Sequence, residues 1–224
     1  MAMTSSSEPS VLPRDRRRRH REQTIDEALE HALAIMTEYG VGGLTVSEMA
    51  RRMGIRGPSL YKYFPSLQAV YDLAFARGTA AQQEAVWKVI ATLPRGVDRI
   101  RAGARATVAW AVANPALAQL LFWRPVPGFE PAPETFQTSV SDMDELGAEF
   151  TEAVRLGQLD HSADGIDAVR LLTVVLSGLI SQQMANEPHV PYDSGVFTRL
   201  TDDAIEMFLD HYRRPGGDRA NPRS

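Results

Sequence analysis

The residue types best suited to chemistry in this chain lie in one short segment, between Arg56 and Tyr63. A guanidinium, an ammonium group and two phenols fall there beside Gly57 and Pro58. Cationic and phenolic side chains bind phosphate oxygens, and a guanidinium can also contact guanine O6 and N7. The segment is therefore a candidate surface for contact with nucleic acid.

Two short helices are predicted to position these groups. Thr45 and Glu48 match the S/T-x-x-E capping pattern at the start of the first helix, and Gly54 ends it. Pro58 suits the first position of the second helix, which must end by Pro65. Two helices joined by a glycine turn form a helix-turn-helix, and a helical hairpin without a DNA role is the alternative interpretation.

The geometry of a helix-turn-helix indicates which residues face DNA. Its second helix enters the major groove, while the start of its first helix faces phosphate. Leu60 and Phe64 are apolar and must face inward. The predicted DNA-binding residues are Thr45, Ser47, Arg56, Gly57, Pro58, Ser59, Tyr61, Lys62 and Tyr63.

Charge is segregated along the chain although its net value is only -4. Up to Pro65, ten Lys and Arg stand against eight Asp and Glu, whereas beyond it fourteen stand against twenty. Residues 14–21 read RDRRRRHR. We expect Arg16, Arg17, Arg18 and Arg19 to lie along the DNA backbone or in the adjacent minor groove, and a solvated tail without contacts is the alternative.

The rest of the composition argues against catalysis. The 224 residues are 44% hydrophobic and include no cysteine, so disulfides, thiolate metal sites and cysteine nucleophiles are excluded. None of the five histidines stands four residues from another, and the sequence has no HExxH or G-x-S-x-G motif. We therefore predict no catalytic residue, no metal site and no cofactor. Glu145, Glu149 and Glu152 are predicted to form a solvated acidic helix face.

An all-α fold of about nine helices is predicted. A first helix with a capping box at Thr24 and Glu27 precedes the helix-turn-helix, and helical periodicity continues to the C-terminal end. The predicted later helices are 66–92, 96–113, 115–123, 133–157, 163–186 and 195–212. The predicted domains are a disordered basic tail (1–17), a helix-turn-helix domain (18–66), a helical effector-binding and dimerisation domain (67–214) and a disordered tail (215–224).

No targeting or membrane segment is expected. The first ten residues contain no apolar stretch, and the longest apolar run, Leu171 to Ile180, is interrupted by polar residues and is too short to span a bilayer. The expected location is the cytoplasm, without a membrane partner.

The helix-turn-helix segment resembles the DNA-binding domain of the TetR family of bacterial transcriptional regulators. The resemblance rests on Leu44-Thr45-Val46, Glu48-Met49-Ala50, Gly54-Ile55 and Leu60-Tyr61-Lys62-Tyr63-Phe64-Pro65-Ser66, and it covers about residues 18 to 70. It implies that Thr45 and Tyr61 bind phosphate, that Gly57, Pro58 and Ser59 approach bases, and that Lys62 and Tyr63 reach the backbone or bases.

Two positions depart from the family pattern. Arg56 stands where the family often has Ser, and Leu67 stands where it often has Lys. The first change adds a possible guanine contact. The second removes an expected phosphate contact, which the arginine run would replace.

The resemblance also implies a C-terminal domain that binds a small effector and dimerises through the last two long helices. Those helices are apolar on wide faces, which suits an isologous dimer, although a buried core helix in a monomer is the alternative. The predicted interface residues are Leu172, Val175, Leu176, Leu179, Phe197, Leu200 and Phe208. The predicted ligand-binding residues, around a Pro-rich connection, are Trp110, Phe122, Trp123, Phe129, Phe136 and Met143.

The predicted function is a homodimeric repressor that a small, mainly apolar effector releases from a palindromic operator in double-stranded DNA. A corepressor-dependent or activating regulator of the same family is the first alternative. A helical enzyme or binding protein with an incidental hairpin is the second.

Overall fold

A computed structural model describes residues 13–213 of the chain. Within this range the fold is all-α, as predicted, with nine α-helices and no strand. The helices are α1 (Pro13–Tyr39), α2 (Val46–Arg52), α3 (Gly57–Leu60), α4 (Leu67–Ile90), α5 (Val97–Ala113), α6 (Pro115–Phe122), α7 (Pro133–Arg155), α8 (Ile166–Asn186) and α9 (Thr201–Tyr212). Four short 3₁₀ segments connect them at Val41–Gly43, His161–Ala163, Tyr192–Ser194 and Thr198–Leu200.

The chain divides into two compact units, one up to Val70 and one from Tyr71. The division falls one turn inside α4, whereas the sequence placed a domain boundary at residue 66, before this helix. In the first unit, the inward face of α1 includes Leu29, Ile35 and Met36, all of which are buried. It packs against α2, which contributes the buried side chain of Met49.

The first helix begins at Pro13, twelve residues before Ile25, where a capping box at Thr24 predicts its first residue. Pro13 occupies its first position, and arginine has a high helix propensity, so the arginine run continues the helix instead of forming a tail. Asp15 lies in the first turn, 3.8 Å from Arg18. Thr24 does not cap the helix, because its hydroxyl donates to the His20 carbonyl. Residues 1–12 of the predicted tail and all of 215–224 lie outside the described residues.

The second unit is a bundle in which α5 and α8 pack together and α7 and α9 pack against both of them. Ile100, Phe150 and Leu172 are fully buried in its core. Asp72 on α4 holds the start of α7, since its carboxylate accepts hydrogen bonds from the Ala132 N–H at 2.8 Å and the Thr135 hydroxyl at 2.9 Å. This contact satisfies a backbone donor that the helix itself leaves without a partner.

The last helix differs from the predicted span of 195–212. The α-helix begins only at Thr201, because the preceding segment wraps around the buried Gln183 side chain of α8. The side-chain oxygen Oε1 of Gln183 accepts hydrogen bonds from the N–H groups of Phe197 and Thr198. A Cβ added to Gly195 would lie 2.4 Å from that oxygen, so this approach requires glycine.

Within residues 13–213, α8 is the one helix long and apolar enough to cross a membrane by length and composition alone. Its 21 residues exceed the apolar run from Leu171 to Ile180, because the helix continues on both sides of that run. A core helix of a soluble protein passes the same test. Here α8 packs against α5, α7 and α9.

Candidate nucleic-acid interface and effector cavity

Thr45 caps α2 as predicted. Its backbone is extended, and its hydroxyl oxygen accepts a hydrogen bond from the Glu48 N–H at 3.2 Å. The second hydrogen bond of a capping box, from the Thr45 N–H to the Glu48 carboxylate, is replaced by other contacts. The Glu48 carboxylate instead accepts bonds of 2.6–2.8 Å from the guanidinium groups of Arg51 and Arg52.

This carboxylate determines which cations of the first unit are available to a partner. Hydrogen bonds from Arg51 and then Arg52 lower the pKa of Glu48 from 4.5 to about 2, so it is ionised at neutral pH. Arg52 also donates to Glu38 on α1 at 2.5 Å. Both arginines therefore already have anionic partners, and Glu38, Arg52 and Glu48 tie α1 to α2.

Arg56 and Lys62, by contrast, form no ion pair within residues 13–213 of the structure. Both are exposed. Arg56 is the N-cap residue of α3, and its side chain makes no capping hydrogen bond. These two cations are thus free to meet phosphate or base edges.

The predicted second helix is shorter than expected, with only Gly57–Leu60 in α-helical form. Turns continue it, and the N–H groups of Tyr63 and Phe64 donate to the Leu60 carbonyl at 2.9 and 3.0 Å. Leu60 and Phe64 are buried, as predicted, whereas Tyr61 is 54% exposed. The inward apolar pair therefore holds the phenol outward.

The other predicted DNA-binding residues lie on α1, at the start of α2, and in and after α3. Thr45, Ser47 and Pro58 are exposed, while Gly57, Ser59 and Tyr63 are half-buried. The glycine turn before α3 contains Gly54 at φ +65, a backbone conformation that favours glycine. Arg16 to Arg19 are exposed on α1.

A cavity of about 1080 Å³, partly open to solvent, lies in the second unit between α4, α5, α6, α7 and α8. Its volume suits a small organic molecule. Most of its wall is apolar, formed by Phe75, Val86, Trp87, Ile90, Ile100, Leu121, Phe122, Phe136, Val140, Met143, Leu146, Leu172, Leu176 and Ile180.

Three of the six predicted ligand-binding residues, Phe122, Phe136 and Met143, line this cavity. The other three do not. Trp110 is buried on α5 away from the cavity, and Phe129 packs its ring 5.6 Å from that of Tyr71. Trp123 borders a separate hollow of about 300 Å³. Aromatic residues near the Pro-rich connection point in several directions, which helical spacing alone does not reveal.

The sequence patterns did not predict which polar groups lie in the cavity wall. Glu149 on α7, predicted as part of a solvated face, is buried. Its carboxylate accepts from Arg95 at 2.9 Å, from the Gly96 N–H at 2.9 Å and from Arg99 at 3.4 Å. These partners lie some fifty residues before Glu149, and no local spacing pattern links them to it.

Asp142 on α7 is the second missed group. It is half-buried in the cavity wall, where the Gln83 amide of α4 donates to its carboxylate. Burial raises the pKa of Asp142, and the nearby charge of Glu145 raises it further, while the Gln83 hydrogen bond lowers it.

The predicted interface residues fall on different faces of the second unit. Leu172, Leu176 and Phe208 are buried within it, so placing them on a dimer surface was wrong. Because α8 is apolar on most sides, its periodicity does not separate an inner from an outer face. Val175, Leu179 and Phe197 are half-buried, and Leu200 is exposed. The most exposed apolar side chains of these helices are instead Val174 and Met207, each 66% exposed.

The first unit is a helix-turn-helix with free cations and an exposed phenol, and the larger helical second unit contains a cavity. This combination is typical of the class of ligand-responsive DNA-binding regulators. Two family models match this organisation. Residues 28–72 match the tetR family of bacterial regulatory proteins, and residues 100–204 match the tetracyclin repressor-like C-terminal domain. The chain belongs to the TetR family of transcriptional regulators.

Individual relatives agree with this assignment. The HTH-type transcriptional regulator Rv1816 of Mycobacterium tuberculosis is 29% identical over 121 residues, which cover 53% of this chain and 52% of that protein. The match thus spans about half the length of this curated relative.

Solved structures show the same fold. A protein of unknown function from Rhodococcus sp. RHA1 has a TM-score of 0.70 at 20% identity, covering 85% of this chain and 95% of that one. The regulator FadR from Bacillus subtilis, in complex with stearoyl-CoA, has a TM-score of 0.66 at 14% identity, with 82% and 97% covered.

Proposed function

We propose that this protein is a homodimeric, cytoplasmic transcriptional repressor that binds a palindromic operator and leaves it when a small, mainly apolar effector occupies the second unit. One observation carries the proposal. The same chain combines an outward Arg56, Tyr61 and Lys62 on a helix-turn-helix with a largely apolar cavity of about 1080 Å³ in another unit.

The DNA contacts would follow from the groups left free in the first unit. Lys62 and the Tyr61 hydroxyl would bind phosphate and fix the position of the protein on the duplex. Arg56 would approach a base edge, where a guanidinium contacts guanine most readily. The start of α2, with Thr45 and Ser47, would meet a second phosphate.

The effector would act by a shift in population between two forms of the dimer. If it binds best to a form whose recognition segments no longer match half-sites about 34 Å apart, it weakens DNA binding. Thermodynamic linkage then requires that operator DNA weakens effector binding by the same factor. A ligand that strengthens DNA binding would identify a corepressor-dependent or activating regulator instead.

Selection of random duplex DNA by the full chain tests the proposal. We expect an enriched inverted repeat, bound by a dimer, whose affinity falls steeply with salt in an anisotropy titration. Tyr61→Ala and Lys62→Ala should each weaken binding, and the loss of Lys62 should reduce the salt slope by about 1.

Lys88→Ala provides the matched control. Lys88 is an exposed lysine of the second unit that pairs with Glu84 at 2.7 Å, so its removal should leave DNA binding unchanged. Absence of any enriched repeat, together with equal binding by Lys62→Ala and the unmodified protein, would reject the regulator proposal.

A further inference from the structure

The charged groups in the wall of the cavity differ in whether the structure pairs them with an opposite charge. Glu149 is neutralised by Arg95 and Arg99, and Glu84 pairs with Lys88 at 2.7 Å. Arg124 lies over the Phe136 ring, 4.8 Å from its centroid. Asp142 differs from these, because its one hydrogen-bond donor within residues 13–213 is the neutral amide of Gln83. Glu145 also lines the wall without an ion pair in the described residues, but it is exposed, whereas Asp142 is half-buried.

We propose that the effector is an amphipathic organic cation whose protonated nitrogen pairs with the Asp142 carboxylate while its ring system fills the apolar cavity. This inference rests on the proposed function only in naming the ligand an effector. The binding site itself is defined by the cavity, by the half-buried position of Asp142 and by the lack of a cationic partner for it in the described part of the chain.

The chemistry of the carboxylate favours a cationic partner. An ionised carboxylate offers about four acceptor positions, and Gln83 occupies one of them. A charged N–H donor adds the attraction of opposite charges to the hydrogen bond, which a neutral hydroxyl does not supply. Burial raises the pKa of Asp142 because the ionised form is poorly solvated, and a bound ammonium group would relieve that cost.

The position of Asp142 along α7 also fits an amphipathic ligand. Phe136 and Met143 lie on the same helix and line the same cavity. Asp142 is six residues beyond Phe136, which corresponds to about 9 Å along the helix axis. Arg124 lies over the Phe136 ring and forms no ion pair with Asp142 among the described residues. Glu145, one turn beyond Asp142, adds negative charge near the proposed nitrogen position.

Calorimetric titration of the full chain with matched probes tests this inference without DNA. The probes are the aminomethyl, hydroxymethyl and carboxylic acid derivatives of naphthalene and anthracene, because an aminomethyl group is protonated at neutral pH whereas an amine attached directly to the ring is not. We expect the amine of at least one skeleton to bind about tenfold or more tightly than its alcohol, and the acid to bind least.

Three variants test whether the Asp142 carboxylate causes the preference for the amine. Asp142→Asn should bind amine and alcohol alike, whereas Asp142→Glu should keep the preference for the amine. Glu84→Gln, which changes another carboxylate of the same cavity wall, should behave as the unmodified protein. Thermal unfolding of each variant establishes that it is folded.

The inference is overturned if neither amine binds more tightly than its alcohol, if an acid binds best, or if Asp142→Asn keeps the preference. These outcomes are independent of DNA selection, which alone decides whether the protein is a regulator of the proposed kind. A preserved amine preference without any operator would support the cation site and reject the regulatory role.

Discussion

Glu149 shows how one side chain joins the cavity wall to the connection between α4 and α5. It is buried and accepts bonds from two arginines and from the Gly96 N–H. Glu149→Gln keeps the shape but removes the charge and leaves buried donors poorly paired. We expect the free energy of unfolding to fall by about 1–3 kcal/mol in a denaturant titration followed by circular dichroism.

Glu152→Gln is the control for that prediction, because Glu152 lies one turn further along α7 and pairs with the exposed Arg155 at 2.7 Å. Surface pairs of this kind contribute about 0–1 kcal/mol. An equal loss of stability in both variants would show that the Glu149 ion pairs do not stabilise the fold beyond an ordinary surface pair.

Glu48 gives the first unit a pH dependence whose sign follows from its environment. Its pKa is about 2 in the folded chain and 4.5 ordinarily, so folding favours the ionised form. The stabilisation is complete above pH 4.5 and is lost as the pH falls toward 2. Glu48→Gln should therefore lower the melting temperature at pH 7 and have little effect near pH 2. Glu30→Gln, at an exposed position of α1, is the control, and a melting difference that does not depend on pH would contradict the assignment.

At the scale of elements, the helical form of the arginine run changes how it would meet DNA. Arg16, Arg17 and Arg19 project from a helix and are exposed, while Arg18 has Asp15 and Glu22 within 4 Å. Changing the three exposed arginines to Gln keeps helix propensity but removes charge. We expect weaker binding to the selected duplex and a salt slope that is smaller by about 0.9 for each phosphate that is no longer neutralised.

Arg170→Gln is the matched control for the arginine run, since Arg170 is exposed on α8 and pairs with Asp167 at 3.1 Å. It should leave both affinity and slope unchanged. If the triple variant also binds with unchanged affinity and slope, the arginine run does not contact DNA.

Elements were predictable from sequence wherever a local pattern determined them. The prolines at positions 115 and 133 start α6 and α7, and buried Leu60 and Phe64 follow from their spacing. The start of α1 was not predicted, because a run of arginines is equally compatible with a tail and with a helix. The Asp142 contact was not predicted either, since Gln83 lies 59 residues away and only the tertiary fold brings the two side chains together.

At the scale of the whole molecule, the outer face of α8 is an exposed apolar surface, through which the proposed dimer would form. Leu171, Val174 and Gly178 follow one another at spacings of three and four residues, and all are exposed. A Cβ added to Gly178 would meet nothing within 4 Å, so the backbone is open to close approach. Leu172 and Leu176 lie on the opposite side of α8, where they line the cavity.

The exposed face predicts how the proposed dimer can be broken without unfolding the subunit. Val174→Glu and Met207→Glu place charge on side chains that are each 66% exposed, so the core is untouched. In a dimer interface, however, each would bury an unpaired carboxylate and raise the dissociation constant about tenfold or more. We expect the double variant to sediment as a folded monomer and to lose affinity for the inverted repeat. Val89→Glu, at an exposed apolar residue of α4, should remain dimeric. A double variant that also stays dimeric would place the interface on another surface.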